Sequence, residues 1–416
     1  MGSMEIKSKR KQKGDSLLIL LCWLVYTCSY LGKYSYSSNM VVVISYYDVT
    51  KADAGLISTL FFIAYGAGQI FNGIFCKYYP KKYVVGGAVA VSAIVNLILF
   101  FDVPFGMIKY LWFINGVAQS VLWPTLVLTL SSYLPGGKLK SAVLVMSTTV
   151  AVGTVISYGL SALFAETVGF HFSFLVASAV LLMACILWMC LYARATLGSM
   201  VEGAEQEPQG IKPQEIEEKE KPTLGMLVML AFLAAFAIVN NLVKDGLNTW
   251  VPNILKERYG LGEGLSILLT ISLSILGIFG SFVAVGLHKK IKNFLALAGV
   301  LFAGASVCLI SVILLFQTEL WVVILIVFGL ISLLTYGINN VVTSMSPLYL
   351  RGKINAGFLS GVMNGACYVG SALSSYGLGG FADTYGWNAV FYLLLTCCFV
   401  ATATSLVVWL FLRKKL

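Results

Sequence analysis

Charge is what this sequence has least of. Its 416 residues carry 28 basic and 18 acidic side chains, 11% of the chain, where an ordinary soluble domain carries about 25%. A water-facing surface cannot be built from so few, and a mean hydropathy of +0.88 points the same way. Soluble, disordered, fibrous and disulfide-scaffold classes are excluded together. Histidine is nearly absent, at two residues, and proline is limited to nine. His171 and His288 fall at the ends of apolar runs, so no metal-ligand spacing, Ser/His/Asp order or HExxH motif arises. There is no P-loop and so no means of hydrolysing ATP within the chain. No catalytic residue, cofactor, metal or enzymatic activity is expected. The nine cysteines (Cys22, Cys28, Cys76, Cys185, Cys190, Cys308, Cys367, Cys397 and Cys398) sit in or beside apolar runs, as small buried residues of a reduced chain do.

Long apolar runs are what the chain has instead. Taking runs of about 18 residues or more as spans, twelve are expected, over 17–46, 54–76, 83–101, 108–133, 141–165, 171–193, 224–254, 264–287, 294–316, 320–346, 355–381 and 388–412. Hydrophobicity on all faces, frequent glycine and no period of two favour helices over barrel strands. The first run continues into a multi-span pattern, so no cleavable signal peptide is expected, and Met1-Gly2-Ser3 before Met4 is too weak a pattern for a lipidation signal. One long polar connection, 194–223, holds seven glutamates, three lysines and three prolines (Pro208, Pro213, Pro222) and reads as a solvated linker. The expected fold is an all-α membrane protein of twelve transmembrane helices. A tail over 1–16 precedes a six-helix bundle over 17–193; after the linker, a second six-helix bundle over 224–412 ends in a tail over 413–416.

Basic residues orient the chain. With alternating spans, 22 of the 28 fall on the side bearing both termini and four (Lys51, Lys109, Lys256, Arg258) on the other. That asymmetry predicts cytoplasmic termini in a multi-pass protein of the cell (inner or plasma) membrane. It also explains the net charge of +10 as topology, which removes the support for a nucleic-acid partner.

The two halves repeat. Ser157-Tyr-Gly-Leu160 recurs as Ser375-Tyr-Gly-Leu378, and Phe164-Ala-Glu-Thr-Val-Gly-Phe170 as Phe381-Ala-Asp-Thr-Tyr-Gly-Trp387; Gly55-Leu56 and Gly264-Leu265 each open the second span of a half. A parallel duplication of six spans is an architecture of secondary transporters, with the binding site near the midplane between the halves. A complete six-plus-six unit is expected to work as a monomer in the lipid bilayer.

Three charges fall inside spans: Lys33, Lys244 and Asp245. A cation at a helix centre costs roughly 2.5–3.5 kcal/mol on insertion scales, so an intramembrane lysine points to function unless it snorkels or pairs with a buried acid. Lys33 is too central to snorkel easily. Lys244 lies in the first span of the second half, at an offset from Lys33 that falls among the repeat offsets, so the two are pseudo-symmetric. Together the three charges sum to +1 and expect an anion. Polar stripes at helical spacing accompany them: Tyr30, Lys33, Tyr34 and Ser37; Asn240, Asn241, Lys244 and Asn248; Asn115, Gln119 and Trp123; Asn364 and Tyr368; Tyr65, Gln69 and Asn72. Such stripes line a cavity or join helices to one another. Asp245 stands about 100° round its helix from Lys244, so it either tunes the local charge or carries a coupling proton.

Twelve spans, six plus six with a polar central connection, resemble the major facilitator superfamily over essentially the whole chain. Within it, Asp245-Gly-Leu-Asn-Thr-Trp-Val-Pro-Asn-Ile-Leu-Lys256 is similar to the segment after a substrate-binding arginine in the organophosphate:phosphate antiporters, the glycerol-3-phosphate and hexose-phosphate transporters. Tyr30-Leu-Gly-Lys33, Trp123-Pro124, Ala356-Gly-Phe358, Gly361 and Gly370 also look like that family. The resemblance implies that Lys33 and Lys244 occupy two anion-clamp positions where arginines are usual. It also marks departures: Gln69 replaces a lysine, Val150 or a neighbour a histidine, and Lys77 an aspartate. A lysine offers a point charge rather than a bidentate fork, so a carboxylate gains ground beside a phosphate.

The expectation is a secondary active transporter of a small organic anion, phosphorylated or carboxylated, working by alternating access. Lys33 and Lys244 form the clamp; Tyr30, Tyr34, Asn115, Gln119, Trp123, Asn240, Asn241, Tyr336, Asn339, Asn364 and Tyr368 line the site. Inorganic phosphate or protons are the candidate coupling ions, with Asp245 the coupling residue. Two alternatives stand: a proton-coupled transporter or exporter of neutral or drug-like solutes using Asp245, and a transporter-like sugar-phosphate sensor.

Overall fold

The structure, a computed structural model, describes residues 2–199, 224–346 and 356–412, and every regular element among them is helical. The first half forms α1 (Gly2–Ser38), α2 (Met40–Tyr47), α3 (Lys51–Phe75), α4 (Lys81–Phe100), α5 (Phe105–Ser120), α6 (Leu122–Tyr133), α7 (Gly136–Glu166) and α8 (His171–Ser199). The second forms α9 (Leu224–Tyr259), α10 (Glu263–His288), α11 (Phe294–Leu315), α12 (Trp321–Asn340), α13 (Ala356–Ala372) and α14 (Leu378–Leu412). Wider π turns follow α12 at Val341–Met345 and α13 at Leu373–Gly377. The first expected span is thus two helices, broken at Asn39, whose amide donates to Ser161 Oγ at 3.0 Å. The fourth is α5 and α6, nearly continuous through Val121.

Eleven stretches among the described residues are long and apolar enough to cross a membrane. The last, Gly361–Leu410, has 50 residues, about 75 Å of helix against a hydrocarbon core of about 30 Å. Gly386, at φ 78 and ψ 171, breaks it inside α14, so it makes two crossings and the total is twelve. α1 already starts at Gly2 and α8 continues to Ser199, beyond the expected linker start at Arg194. The remainder of the linker and residues 413–416 lie outside the described residues.

Two compact units form. One gathers the described residues of Met1–Ser35, Gly68–Ser157 and His171–Glu218; the other those of Tyr36–Ala67, Tyr158–Phe170 and Lys219–Leu416. The first is built on α4 lying along α8, with Leu18, Val25, Val89, Leu126, Leu181 and Trp188 in its core; the buried Trp188 indole donates to Lys82 O at 2.9 Å. In the second, α10 packs on α12, α11 on α14 and α13 on α9, around Phe236, Phe302, Phe328 and Phe391. Large apolar side chains such as Phe282 (71% exposed) and Leu314 (72%) point outward, a surface stable only against lipid.

The repeated heptapeptide acquires a physical role in the second unit. In both copies its glycine takes a positive φ, 101° at Gly169 and 78° at Gly386, where a side chain would be strained. In both copies its acid caps a helix N-terminus in the opposite half of the sequence. Glu166 Oε1 accepts from Gly264 N at 2.8 Å, the second residue of α10. Asp383 Oδ2 accepts from Ala52 N at 2.9 Å, the second residue of α3. Lys51 adds ion pairs to Asp383 at 3.3 Å and Glu257 at 3.2 Å, and the Trp387 indole donates to Glu257 Oε2 at 2.8 Å. A carboxylate at a helix N-terminus satisfies an orphan N–H and opposes the positive end of the dipole.

Removing either cap, by Glu166→Ala or Asp383→Ala, is expected to cost about 1 kcal/mol, lowering the melting temperature of the detergent-solubilised protein by about 1 °C. Thermal unfolding of the two variants checks this; two unchanged melting curves would contradict the capping role.

Candidate functional site

Lys33 lies in the first unit, on the last turns of α1, buried at 9% exposure. Its ammonium sits 5.6 Å from the Tyr30 ring centroid and 5.7 Å from that of Tyr34. The spacing i−3 and i+1 puts both rings beside it, and the two rings stack at 5.6 Å. Tyr26 continues the ladder, 5.2 Å from Tyr30 and 5.1 Å from Trp123. Aromatic faces attract a cation through the ring quadrupole.

Beneath this turn lies a closed hydrogen-bond network. Asn115 donates to Gly32 O at 2.9 Å and accepts from Ser92 Oγ at 2.7 Å. Gln119 Nε2 donates to Ser92 Oγ at 2.8 Å and approaches Asn115 Oδ1 at 3.4 Å. Asn96 donates to Ser92 O at 2.8 Å and accepts from Ser35 Oγ at 2.7 Å. Gly32 permits the close fit, because a Cβ there would stand 2.6 Å from Leu181 and 2.8 Å from Ser92 Oγ. Asn115 and Gln119 are fully buried in this network, so in this structure they tie α4 and α5 to the turn that carries Lys33. Ser92 and Asn96 complete the network. Sequence reasoning did not single them out, since short polar residues on an apolar helix carry no distinctive spacing.

Lys244 lies in the second unit, midway along α9. Its ammonium is 3.3 Å from Asp245 Oδ1 and 5.3 Å from the Tyr336 ring centroid. Adjacent residues on a helix diverge at Cβ, yet both side chains are long enough to meet. The other Asp245 oxygen accepts a hydrogen bond from Ser371 on α13. Ser371 extends the stripe of Asn364 and Tyr368 by one turn, which is the signal that could have found it. Asn339 accepts from Cys367 Sγ at 3.6 Å, and Asn241 donates to Ala237 O at 3.0 Å. Tyr368 packs 4.9 Å from Tyr65 and 6.3 Å from Phe62; Asn364 is partly exposed. Asn240, one turn before Lys244, is 1% exposed, and neither its Oδ1 nor its Nδ2 has a hydrogen-bond partner.

Two charged centres therefore exist, each on the first long helix of a half, each beside tyrosine. The family model of the Major Facilitator Superfamily matches residues 22–375. The chain belongs to that superfamily. Curated relatives of this superfamily member include the Membrane sensor protein UhpC of Escherichia coli, 21% identical over 90% of this chain and 87% of that one. The probable hexose phosphate transport protein of Chlamydia pneumoniae is 22% identical over 96% and 92%, and the glycerol-3-phosphate transporter of Bacillus subtilis 23% identical over 91% and 90%. Among solved structures, a bacterial homologue of the human lysosomal transporter Spinster superposes with a TM-score of 0.71 at 15% identity, covering 94% of this chain and 96% of that one. The nucleoside transporter NupG gives 0.71 at 11% identity, over 94% and 100%. These two share its fold.

Asn115→Leu leaves buried polar groups unpaired and is expected to cost about 1–3 kcal/mol, whereas Asn364→Leu changes stability by less than about 0.5 kcal/mol. Thermal unfolding of both variants tests the distinction; equal losses would contradict it.

Proposed function

We propose that this superfamily member is a secondary active transporter of a small organic anion, phosphorylated or carboxylated, with Lys33 and Lys244 as the ligands of the anionic group. The observation that carries the reading is the pair of lysines within apolar helices at repeat-related positions of the sequence. A lysine held there at a cost of several kcal/mol is a functional group by default. The relatives named for hexose phosphate and glycerol 3-phosphate support the anionic substrate. Tyr30, Tyr34, Asn240, Tyr336 and Asn339 would orient the rest of the molecule, with Trp123, Asn241, Asn364 and Tyr368 around them; Asn115 and Gln119 hold the Lys33 turn. The duplicated halves would exchange access between the two sides by rocking, with both termini cytoplasmic and one chain sufficient. Inorganic phosphate exchange or a proton gradient would drive net movement.

A second reading rests on the UhpC relative, a sensor that is similar over most of both chains: the protein would bind its anion and report it rather than move it. Proteoliposomes separate the two. Transport predicts counterflow of the bound anion, sensing predicts saturable binding with no counterflow. If Asp245 carries a coupling proton, Asp245→Asn abolishes pH-driven accumulation while leaving anion exchange in place.

For the transport reading, Lys33→Gln and Lys244→Gln are each expected to lower counterflow by at least about tenfold, the equivalent of one charge-assisted hydrogen bond of about 1.5–3 kcal/mol. Lys→Arg at either position keeps the charge but changes its geometry, and is expected to retain more counterflow than Lys→Gln. Full counterflow in both glutamine variants would sink the mechanism.

A further inference from the structure

The π turn at Leu373–Gly377 lies where a side chain from another helix enters the backbone ladder. In a regular α-helix Tyr376 N would donate to Ala372 O, four residues back. Here the Thr59 hydroxyl of α3 stands between them: it donates to Ala372 O at 2.6 Å and accepts from Tyr376 N at 3.1 Å. Insertion of a side chain into the ladder is one of the few causes of a break in a helix, and π turns recur at functional sites. α3 comes this close because Gly55 has no side chain; a Cβ there would overlap Ser375 O. The Trp250 indole of α9 takes up a further carbonyl of the turn, donating to Ser374 O at 3.0 Å. All of these residues lie in the second unit.

The sequence repeat supplies a second, independent observation. Ser375-Tyr-Gly-Leu378, which overlaps the turn, has its copy Ser157-Tyr-Gly-Leu160 inside the uninterrupted α7. The same Ser-Tyr-Gly is α-wound in one half and π-wound in the other. Thr59 stands four residues after Gly55; four residues after the repeat-related Gly264 stands Leu268, which has no hydroxyl. The winding follows the hydroxyl, not the local sequence. The turn also reaches the Lys244 centre. The Ser374 and Ser375 hydroxyls donate to Ser371 O at 2.7 and 3.2 Å, and the Ser371 hydroxyl donates to Asp245, the partner of Lys244.

We propose that Thr59 is the latch of a backbone switch: the turn is π-wound while α3 lies against it and α-wound when α3 withdraws, and Ser371 carries the change to Asp245 and Lys244. Both forms keep their polar groups paired, as apolar surroundings demand. With α3 seated, the hydroxyl serves Ala372 O and Tyr376 N. With α3 withdrawn, those two groups bond each other, and the hydroxyl turns back on Gly55 O, as Thr270 does on Ser266 O at 2.9 Å. Rewinding a π turn as α rotates α13, with Ser371 on it, relative to α14. The inference rests on the alternating-access reading for the movement of α3, and its readout needs no substrate.

Structures of purified full-length Thr59→Val, Thr59→Ser and Gly55→Trp, solved without ligand beside the wild type, test it. In Thr59→Val, which lacks the hydroxyl, Tyr376 N is expected to donate directly to Ala372 O at about 2.9 Å, and the Ser371–Asp245 bond to be lost. Thr59→Ser is expected to keep the inserted hydroxyl, the π turn and that bond. Gly55→Trp wedges α3 away and is expected to close the ladder with Thr59 in place. A π turn retained in Thr59→Val, or a closed ladder with the Ser371–Asp245 bond unchanged, overturns the inference; so does Gly55→Trp with α3 displaced and the π turn kept. If one of these two variants fails to fold, or Gly55→Trp leaves α3 seated, the other decides. A ladder that closes in a protein showing no counterflow of any anion keeps the switch and removes transport; counterflow with a fixed π turn removes the switch and keeps transport.

Discussion

Carrying an ammonium group into an apolar span costs up to roughly 2.5–3.5 kcal/mol on insertion scales, and this chain does so twice. The two solutions differ. Lys33 is set among tyrosine rings, its turn of α1 fastened by the Asn115–Ser92–Gln119 network. Lys244 is set against a carboxylate, itself fastened by Ser371. Tyrosine rings flank the Lys33 ammonium, whereas a carboxylate sits directly against that of Lys244.

The second constraint is the backbone. Helices that end at the membrane surface present unpaired N–H groups, and here the chain closes two of those ends with acids drawn from the other half of the sequence. Glu166 on α10 and Asp383 on α3 do the same work from the same position of a repeated heptapeptide. Duplication thus left more than a shared outline: it left a pair of reciprocal contacts, each made by a carboxylate three residues before a left-handed glycine. Such contacts involve few atoms and little apolar area.

Much of this was legible in the sequence. Charge scarcity fixed the class, the 18-residue runs gave twelve crossings, and two lysines stood out because nothing else away from the ends of the spans was positive. The heptapeptide was legible as a repeat and illegible as a cap, because Ala52 and Asp383 are 331 positions apart. Ser371 was missed for the same reason, lying 126 residues from Asp245. Asn115 and Gln119 form a helical stripe whether they line a cavity or join helices, and only packing tells the two apart. The break at Asn39 was hidden because apolar residues flank it on both sides.

The central claim is that a negative charge on the ligand is what the two lysines recognise. Thermal shift of purified wild-type protein with D-glucuronate and with its uncharged amide, repeated on Lys33→Gln and Lys244→Gln, tests it most directly. The account predicts stabilisation by the acid alone, lost or sharply reduced in each variant. Equal stabilisation by acid and amide, undiminished when either lysine is replaced, would contradict it.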